Sequence, residues 1–381
     1  MQKLTRIAVA TALATAALGA PAASAAQHGG GQGRPDGGNH AVFVQNDNPA
    51  GNQVIAYRRA DDGRLTPAAT YDTHGLGGQL DGSVADHLAS QGSLTYDPWH
   101  ALLYAVNAGS DTVTVFSVDG DRLTLRQVVD SGGRFPVSVA VHDDVVYVLN
   151  ALDGGSIQGY TVHAGRLRAE SGWNRRLGLD PNATPQFTNT PGQVGFTGEG
   201  SQLVVTTKAN GSSLLVFNLD RSGAPADAPV VTSLPGAVPF AFVPDGAHGL
   251  FLAEAGTNAV ATLVVHRDGS ASQVTQAPTG QSATCWIVGV RDLLYASNAG
   301  SSTLTGLRTA DRGRRLTVLG NTPTDPGTVD AAVSSNGRFL YAQTGVNGIV
   351  DEFAINDDGS LTALGSQTVP GGVGGEGIVA F

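Results

Sequence analysis

Carboxylates are the side chains of this sequence best suited to catalysis. Glu254 follows an apolar strand pattern, whereas Asp330 and Glu376 lie where such patterns begin. A carboxylate there can activate water or move a proton if a neighbouring acid raises its pKa. We expect Asp330 and Glu376 to form such a pair. It is equally open that these carboxylates have a structural role and only accept hydrogen bonds from backbone N–H groups.

Cationic and amide side chains near these positions would complete a site. Arg134 (in GGRFP) or Lys208 (in TTKAN) would hold a carboxylate or stabilise an oxyanion. His87, in a glycine-containing segment, is a further candidate for acid–base chemistry, although a histidine there is usually an ordinary surface residue. The neutral side chains predicted to contact a substrate are Gln193, Asn107 and Asn298. Asparagine is also favoured at turns, where it bonds nearby backbone.

Metal and cofactor motifs are missing from the sequence. It has no Gly-x-Ser-x-Gly elbow, phosphate-binding loop, His-x-x-x-His pair or EF-hand loop, so we expect neither metal nor cofactor. Cys285 is the only cysteine, so an intrachain disulfide cannot form. We predict that Cys285 is buried beside Trp286. The net charge of −10 disfavours nucleic acid as a partner. We expect a monomer that binds a small molecule.

The first 39 residues resemble a targeting segment followed by a tether. Lys3 and Arg6 precede an apolar run that is too short to span a membrane, and Ala23-Ser24-Ala25 follows as a cleavage site. We therefore predict a signal peptide over 1–25 and a secreted mature protein. The glycine-rich residues 26–39 are predicted to be a disordered tether.

The rest of the chain is built from a repeat. The segment LLYAVNAGSDTVTVFSVDGDRL recurs as VVYVLNALDGGSIQGYTVHAGRL, LLYASNAGSSTLTGLRTADRGRRL and FLYAQTGVNGIVDEFAINDDGSL, with three weaker copies. Each copy alternates apolar and β-branched residues between turns rich in Gly, Asp and Asn. Four strands per copy, at a period of about 45 residues, are typical of a β-propeller blade.

The repeat count predicts how the ring closes. Residues 40–381 hold seven copies, and the first copy lacks its innermost strand, whereas the chain ends in the unpaired strand EGIVAF. We therefore predict an all-β, seven-bladed propeller of four-stranded antiparallel blades, with the C-terminal strand completing blade 1. The 52 glycines and 18 prolines then fall largely in recurring turns.

Two connections between blades are unusually long. They span 74–91, between blades 1 and 2, and 173–191, between blades 3 and 4. In an antiparallel ring both rise on the face where the inner strands begin. Long loops in compact repeats are often functional, so we predict that this face carries the site.

The blade cores LLYAVNAGSDTVTVFSV, VVYVLNALDGGSIQGYTV and NGRFLYAQTGVNGIVDEFAINDDGSLTAL resemble the lactonase family of seven-bladed propellers. That family includes bacterial 6-phosphogluconolactonase and fungal carboxy-muconate lactonizing enzyme. The resemblance covers about 40–381 and implies opening or closure of a lactone without a metal, by His, Glu and Arg at the channel mouth. Family members commonly carry Pro-His at the start of an inner strand, whereas no inner strand starts with His in this chain. The first long connection would have to supply a substitute.

The sequence leaves two functions open. One is hydrolysis or cyclisation of a small lactone or cyclic carboxylate at the channel mouth, with a carboxylate as base and Arg134 or Lys208 stabilising the oxyanion. The other is a propeller without catalytic activity that binds a small ligand, a cell-wall component or a protein. A redox quinoprotein is disfavoured, because the chain has only three tryptophans and no tryptophan repeat.

Overall fold

Seven four-stranded antiparallel sheets account for almost all regular structure in the computed structural model of the protein, which describes residues 40–246 and 248–381. The predicted signal peptide (1–25) and tether (26–39) lie outside the described residues. Neighbouring sheets contact one another around the ring, mainly through their innermost strands, so the sheets are the blades of a propeller. The predicted fold class and the number of blades are confirmed.

In the first four blades the chain runs from the inner to the outer edge, except that the last strand of the chain is innermost in blade 1. Blade 1 contains β28 (Ile378–Ala380), β1 (Ala41–Gln45), β2 (Gln53–Arg59) and β3 (Leu65–Asp72). Blade 2 contains β4 (Leu94–Asp97), β5 (Leu102–Asn107), β6 (Thr112–Asp119) and β7 (Arg122–Asp130). Blade 3 contains β8 (Pro136–His142), β9 (Val145–Asn150), β10 (Ser156–His163) and β11 (Arg166–Arg176). Blade 4 contains β12 (Val194–Phe196), β13 (Gln202–Thr206), β14 (Ser213–Asn218) and β15 (Val230–Ser233).

The remaining three blades repeat this order, and two short helical turns interrupt the loops. Blade 5 contains β16 (Pro239–Pro244), β17 (Gly249–Glu254), β18 (Ala259–Val265) and β19 (Ala271–Pro278). Blade 6 contains β20 (Thr284–Val290), β21 (Leu293–Asn298), β22 (Thr303–Ala310) and β23 (Arg315–Pro323). Blade 7 contains β24 (Thr328–Val333), β25 (Phe339–Thr344), β26 (Ile349–Ile355) and β27 (Leu361–Thr368). The helical turns are a 3₁₀ turn (Ala108–Ser110) and α1 (Gln186–Asn189).

The C-terminal strand closes the ring as predicted. β28 pairs antiparallel with β1, with Phe43 opposite Val379, so the last residues of the chain complete the first blade. The backbone groups of Ala41 and Phe381 exchange hydrogen bonds of 3.0 and 3.2 Å at the end of this pair. The pairing covers an edge of β1 that would otherwise present unpaired N–H and C=O groups.

A tyrosine in the second strand of three blades links each of them to the next blade. The side chains of Tyr147, Tyr295 and Tyr341 are buried, and each phenol donates a hydrogen bond of 2.7 to 3.0 Å to a glycine carbonyl in a turn of the next blade. The acceptor for Tyr341 is Gly63 in blade 1, so one of these bonds crosses the closure. Gly63 has φ +90°, and a Cβ there would lie 2.3 Å from the Phe339 ring, which explains glycine at this turn.

One predicted boundary is wrong. The second long connection was expected to begin at Trp173, but β11 continues through Arg176, so this connection spans 177–193. The Trp173 side chain is buried and stacks on Tyr147 with 6.0 Å between ring centroids, because it extends the core of blade 3. We call residues 73–93 insert 1 and residues 177–193 insert 2.

The described residues contain no helix long and apolar enough to cross a membrane.

Candidate functional site

Insert 1 runs into the central channel and reaches blade 6. Gln91 bonds Ile287 of β20 twice, as acceptor from its N–H at 2.9 Å and as donor to its carbonyl at 3.1 Å. The Trp286 indole N–H donates to the Ser90 carbonyl, and Leu80 and Leu88 of insert 1 are fully buried. Insert 1 is therefore a packed part of the propeller rather than a displayed loop.

Four buried carboxyl groups meet where insert 1 enters the channel. We call Asp47, Asp86, Asp330 and Glu376 the channel acids. Burial raises the pKa of Asp47 to about 8, that of Asp86 to about 6 and that of Asp330 to about 7. Burial also raises the pKa of Glu376 well above its usual value, and repulsion by the other three acids adds to the shift. The expected approach of Asp330 and Glu376 is observed, and two further acids join them.

Insert 1 and the C-terminal segment hold two of these acids in place through backbone N–H donors. Asp86 accepts the N–H groups of Leu88 at 2.8 Å and Ser90 at 3.1 Å, an arrangement that fixes a tight turn. Asp47 accepts the Glu376 N–H at 2.7 Å. The Glu376 Oε1 atom is buried and has no hydrogen-bond partner among the described residues.

Lys208 holds both inserts to the ring. It lies in the turn after β13, is 1% exposed, and its ammonium donates to the carbonyls of Ala89 in insert 1 and Phe187 in insert 2, each at 2.6 Å. A third contact, 3.2 Å, joins it to the Thr190 hydroxyl. An ammonium has three protons, so these acceptors use all of them. Burial lowers the pKa of Lys208 to about 7, and the negative charge of Asp86 opposes this shift.

A cavity of about 360 Å³ lies between the inserts and blades 4 to 6. Its volume is at the small end of the range for ligand pockets, about 300–1,000 Å³. Asp86, Lys208 and Cys285 are the ionisable residues of its wall. The larger apolar residues of the wall are Val84, Phe187, Val238, Phe240 and Trp286.

The chemistry available in this cavity centres on Asp86. Of the channel acids, Asp86 lines the cavity wall, whereas the other three do not. A carboxyl group whose pKa is about 6 is largely ionised at neutral pH and retains basicity, as a general base requires. The predicted burial of Cys285 is observed, and burial raises the pKa of its thiol to about 12, so it is no nucleophile at neutral pH.

Two charged residues predicted at the site lie outside the cavity wall. Glu254 ends β17 and is 1% exposed; its Oε2 atom accepts a hydrogen bond from Thr257 at 3.0 Å and another from Gln276. Arg134 is exposed and lies 3.8 Å from Asp153, an ion pair on the surface. The structure does not bring Glu254 or Arg134 to Asp86. Their role in catalysis stays a prediction from the sequence.

The predicted amide contacts are occupied within the blades. Asn107 and Asn298 each donate to two threonine hydroxyls of their own blade, at 2.8 to 3.1 Å. Gln193, the last residue of insert 2, accepts the Phe242 N–H of blade 5 at 2.7 Å. His87 lies against Gly374, and burial lowers the pKa of its ring. The three amide side chains therefore stabilise turns and junctions in this structure, whereas Nδ1 of His87 is buried without a hydrogen-bond partner among the described residues.

Sequence reasoning missed Asp47 and Asp86 as members of the site. Asp86 precedes the predicted His87 and accepts backbone N–H groups two and four residues later, which fixes a buried turn. The sequence pattern Asp-x-Leu-x-Ser could therefore have indicated this turn and its acid. Asp47 follows an asparagine at the end of a strand and has φ +50°. Asp47 follows β1 and Glu376 precedes β28, so the predicted pairing of these two strands was an available signal for their approach.

No group of three or more His, Cys, Asp or Glu side chains among residues 40–246 and 248–381 is arranged to hold a metal ion.

The fold and cavity define a class of protein: a seven-bladed β-propeller with a small, mainly apolar pocket covered by two inserts on one face. Comparison with family models then assigns the chain. Residues 40–165 and 83–374 match the model "Lactonase, 7-bladed beta-propeller", and the chain belongs to this family. No curated protein sequence matches the chain significantly.

Solved structures share the fold. A 6-phosphogluconolactonase candidate from Bacteroides fragilis NCTC 9343 is 16% identical with a TM-score of 0.72, covering 91% of this chain and 99% of its own. The periplasmic gluconolactonase of Pseudomonas aeruginosa is 18% identical with a TM-score of 0.69, covering 90% of this chain and 98% of its own. At these identities the likeness concerns the propeller architecture.

Proposed function

We propose that this protein hydrolyses a small lactone in the cavity beneath the inserts, with Asp86 as general base. The observation that carries the proposal is the position of Asp86, which is the channel acid that lines the cavity and has a pKa of about 6. Membership in the lactonase family supports the reaction class.

The proposed reaction adds one water to one lactone. Asp86 takes a proton from water as the oxygen attacks the ester carbonyl carbon, and the carbonyl oxygen becomes an oxyanion. When the carbonyl re-forms, the bond to the ring oxygen breaks, and Asp86 returns its proton to that oxygen. The product is a hydroxy acid. The positive charge of Lys208, buried near Asp86, stabilises the negative charge that develops.

Replacement of the base tests this mechanism. Asp86→Asn removes the basic oxygen while preserving size and one acceptor, and we expect kcat for any accepted lactone to fall by about two orders of magnitude or more. Asp81→Asn changes an exposed acid of the same insert and is the matched control, for which full activity is expected. Equal rates for the Asp86→Asn variant and the parent would refute the role of Asp86.

In this proposal a protein carboxylate, rather than a metal ion, activates the water. We expect the rate to be unchanged after exhaustive dialysis against EDTA. A rate that falls on chelation and returns with one added divalent cation would contradict this part of the proposal.

A second function is supported by a different observation. Asp86 and Lys208 both bond the insert backbone, which leaves the cavity with few free polar atoms. This favours a propeller that binds a small ligand without turning it over. Calorimetric binding of a lactone that stays intact over hours would select this function over hydrolysis.

We also propose that the protein is exported, with cleavage near Ala25. The support is the order of basic residues, apolar run and small residues in 1–25. Amino-terminal sequencing of protein from the culture medium is expected to begin at residue 26. An intact amino terminus inside cells would contradict export.

A further inference from the structure

We infer that the cavity selects uncharged lactones with an alkyl or aryl substituent and rejects phosphorylated or polyhydroxylated lactones. This inference rests on the proposed function, because it names the substrate class of that same site. It sets the chain apart from the sugar-acid lactonases that share its fold.

The wall of the cavity is the first support. Val84, Phe187, Val238 and Phe240 surround the space with hydrocarbon, and the Trp286 indole N–H is already bonded to the Ser90 carbonyl. Hydroxyl groups of a sugar lactone would lose their water there without gaining partners, which is unfavourable. An alkyl chain gains from the same burial.

The mouth of the cavity is the second support. Val84 of insert 1 is 80% exposed although it is a large apolar residue, and it lines the cavity. A valine held at the entrance of an apolar pocket provides a contact for the far end of an alkyl substituent.

Charge is the third support. The one cation of the wall, Lys208, has its three protons on Ala89, Phe187 and Thr190, so no N–H remains for a phosphate. The wall carries one acid, Asp86, and its other ionisable residue besides Lys208 is Cys285, whose thiol is neutral at neutral pH. A phosphate dianion would therefore enter an apolar site that contains an acid and in which Lys208 has no free N–H. The hydroxy acid product also becomes an anion, so the same arrangement favours its release.

A homologous series of lactones tests the inference. We would measure kcat/KM for γ-valerolactone, γ-hexalactone, γ-heptalactone and γ-octalactone beside glucono-δ-lactone and 6-phosphoglucono-δ-lactone. We expect a rise of about threefold to fourfold for each added methylene until the cavity is full. Glucono-δ-lactone is expected to be at least about a hundredfold poorer than γ-octalactone, and the phosphorylated lactone inactive. A flat alkyl series or a preference for either sugar lactone would overturn the inference while leaving hydrolysis intact.

A variant at the mouth provides the structural control. Val84→Glu places a carboxylate at the entrance without disturbing the core, and we expect kcat/KM for γ-octalactone to fall about tenfold with an unchanged melting temperature. Val231→Glu changes a valine of blade 4 that is 60% exposed and outside the cavity wall, and it should leave the rate unchanged. Equal rates for the parent and the Val84→Glu variant would contradict the apolar entrance.

Direct binding separates this inference from the proposed function. If no lactone is hydrolysed, the proposed function fails, and calorimetric titration then decides the ligand class. Saturable binding of γ-octalactone, weakened in the Val84→Glu variant, with no binding of glucono-δ-lactone would support the inference. Absence of γ-octalactone binding, or tighter binding of the sugar lactone, would overturn it.

Discussion

The Ser90 hydroxyl lies 2.6 Å from Oε2 of Glu376 and 2.8 Å from the carbonyl oxygen of Val137. A hydroxyl has one proton, so it donates to only one of these oxygens. The other short contact requires a proton from Glu376, and that carboxyl group is buried among Asp47, Asp86 and Asp330. The geometry and the raised pKa of Glu376 both indicate a protonated side chain that donates to Ser90.

If Glu376 is protonated, its replacement by glutamine should cost little stability. Glu376→Gln keeps the shape and supplies an amide donor to Ser90, so the free energy of unfolding at pH 8 should stay within about 1 kcal/mol of the parent or exceed it. Glu376→Ala should lose about 2–4 kcal/mol, because it leaves a cavity and unpaired neighbours. Urea denaturation measures both. A loss of more than about 2 kcal/mol in the Glu376→Gln variant at pH 8 would indicate an ionised Glu376 instead.

The channel acids predict that stability falls as the pH rises. Burial raises the pKa of Asp47 from its ordinary value of 3.8 to about 8, so the folded chain holds more protons than the unfolded chain between these values. Unfolding then releases protons, and the free energy of unfolding decreases from about pH 4 to about pH 8. Lys208 acts oppositely above pH 7, because the unfolded state binds its proton more tightly there.

Asp47→Asn tests this dependence. Asparagine is neutral and tolerates the φ of +50° at this position, so the decrease in unfolding free energy between pH 5 and pH 8 should shrink by about 1 kcal/mol or more. Asp61→Asn, at an exposed position of the same blade, is the control and should leave the curve unchanged. Parallel curves for the Asp47→Asn variant and the parent would contradict a raised pKa of Asp47.

Lys208 is predicted to stabilise the two inserts rather than the blades of the ring. Lys208→Met keeps the hydrocarbon length but leaves the carbonyls of Ala89 and Phe187 without their donor, at an expected cost of about 2–4 kcal/mol. Hydrogen exchange should accelerate in both inserts while the outer strands remain protected. Arg134→Met, which removes an exposed cation, should change neither measurement. Uniform acceleration over all blades in the Lys208→Met variant would assign Lys208 to global stability instead.

The fold was predictable because its determinants are local and repeated. The repeated segments predict the second strands, and the unpaired EGIVAF predicts the closure, in which the structure places Phe43 opposite Val379. The approach of Asp330 to Glu376 was also predictable, because ring closure places blades 7 and 1 side by side. The position of insert 1 was not, because its contacts join Gln91 to Ile287 across the channel and no periodic pattern encodes them.

Because insert 1 is part of the core, substitution of its buried residues should destabilise the protein. Leu88 is fully buried, and Leu88→Ala should lower the free energy of unfolding by about 2–5 kcal/mol, as expected for a leucine in a packed core. Leu76→Ala, in the same insert but 44% exposed, should cost less than about 1 kcal/mol. Chemical denaturation of both variants separates the cases. If insert 1 were a displayed loop, as its length and glycines suggest, both substitutions would lower the free energy of unfolding by the same small amount. The turn that holds Asp86 would then lack the packing that a general base in this cavity requires.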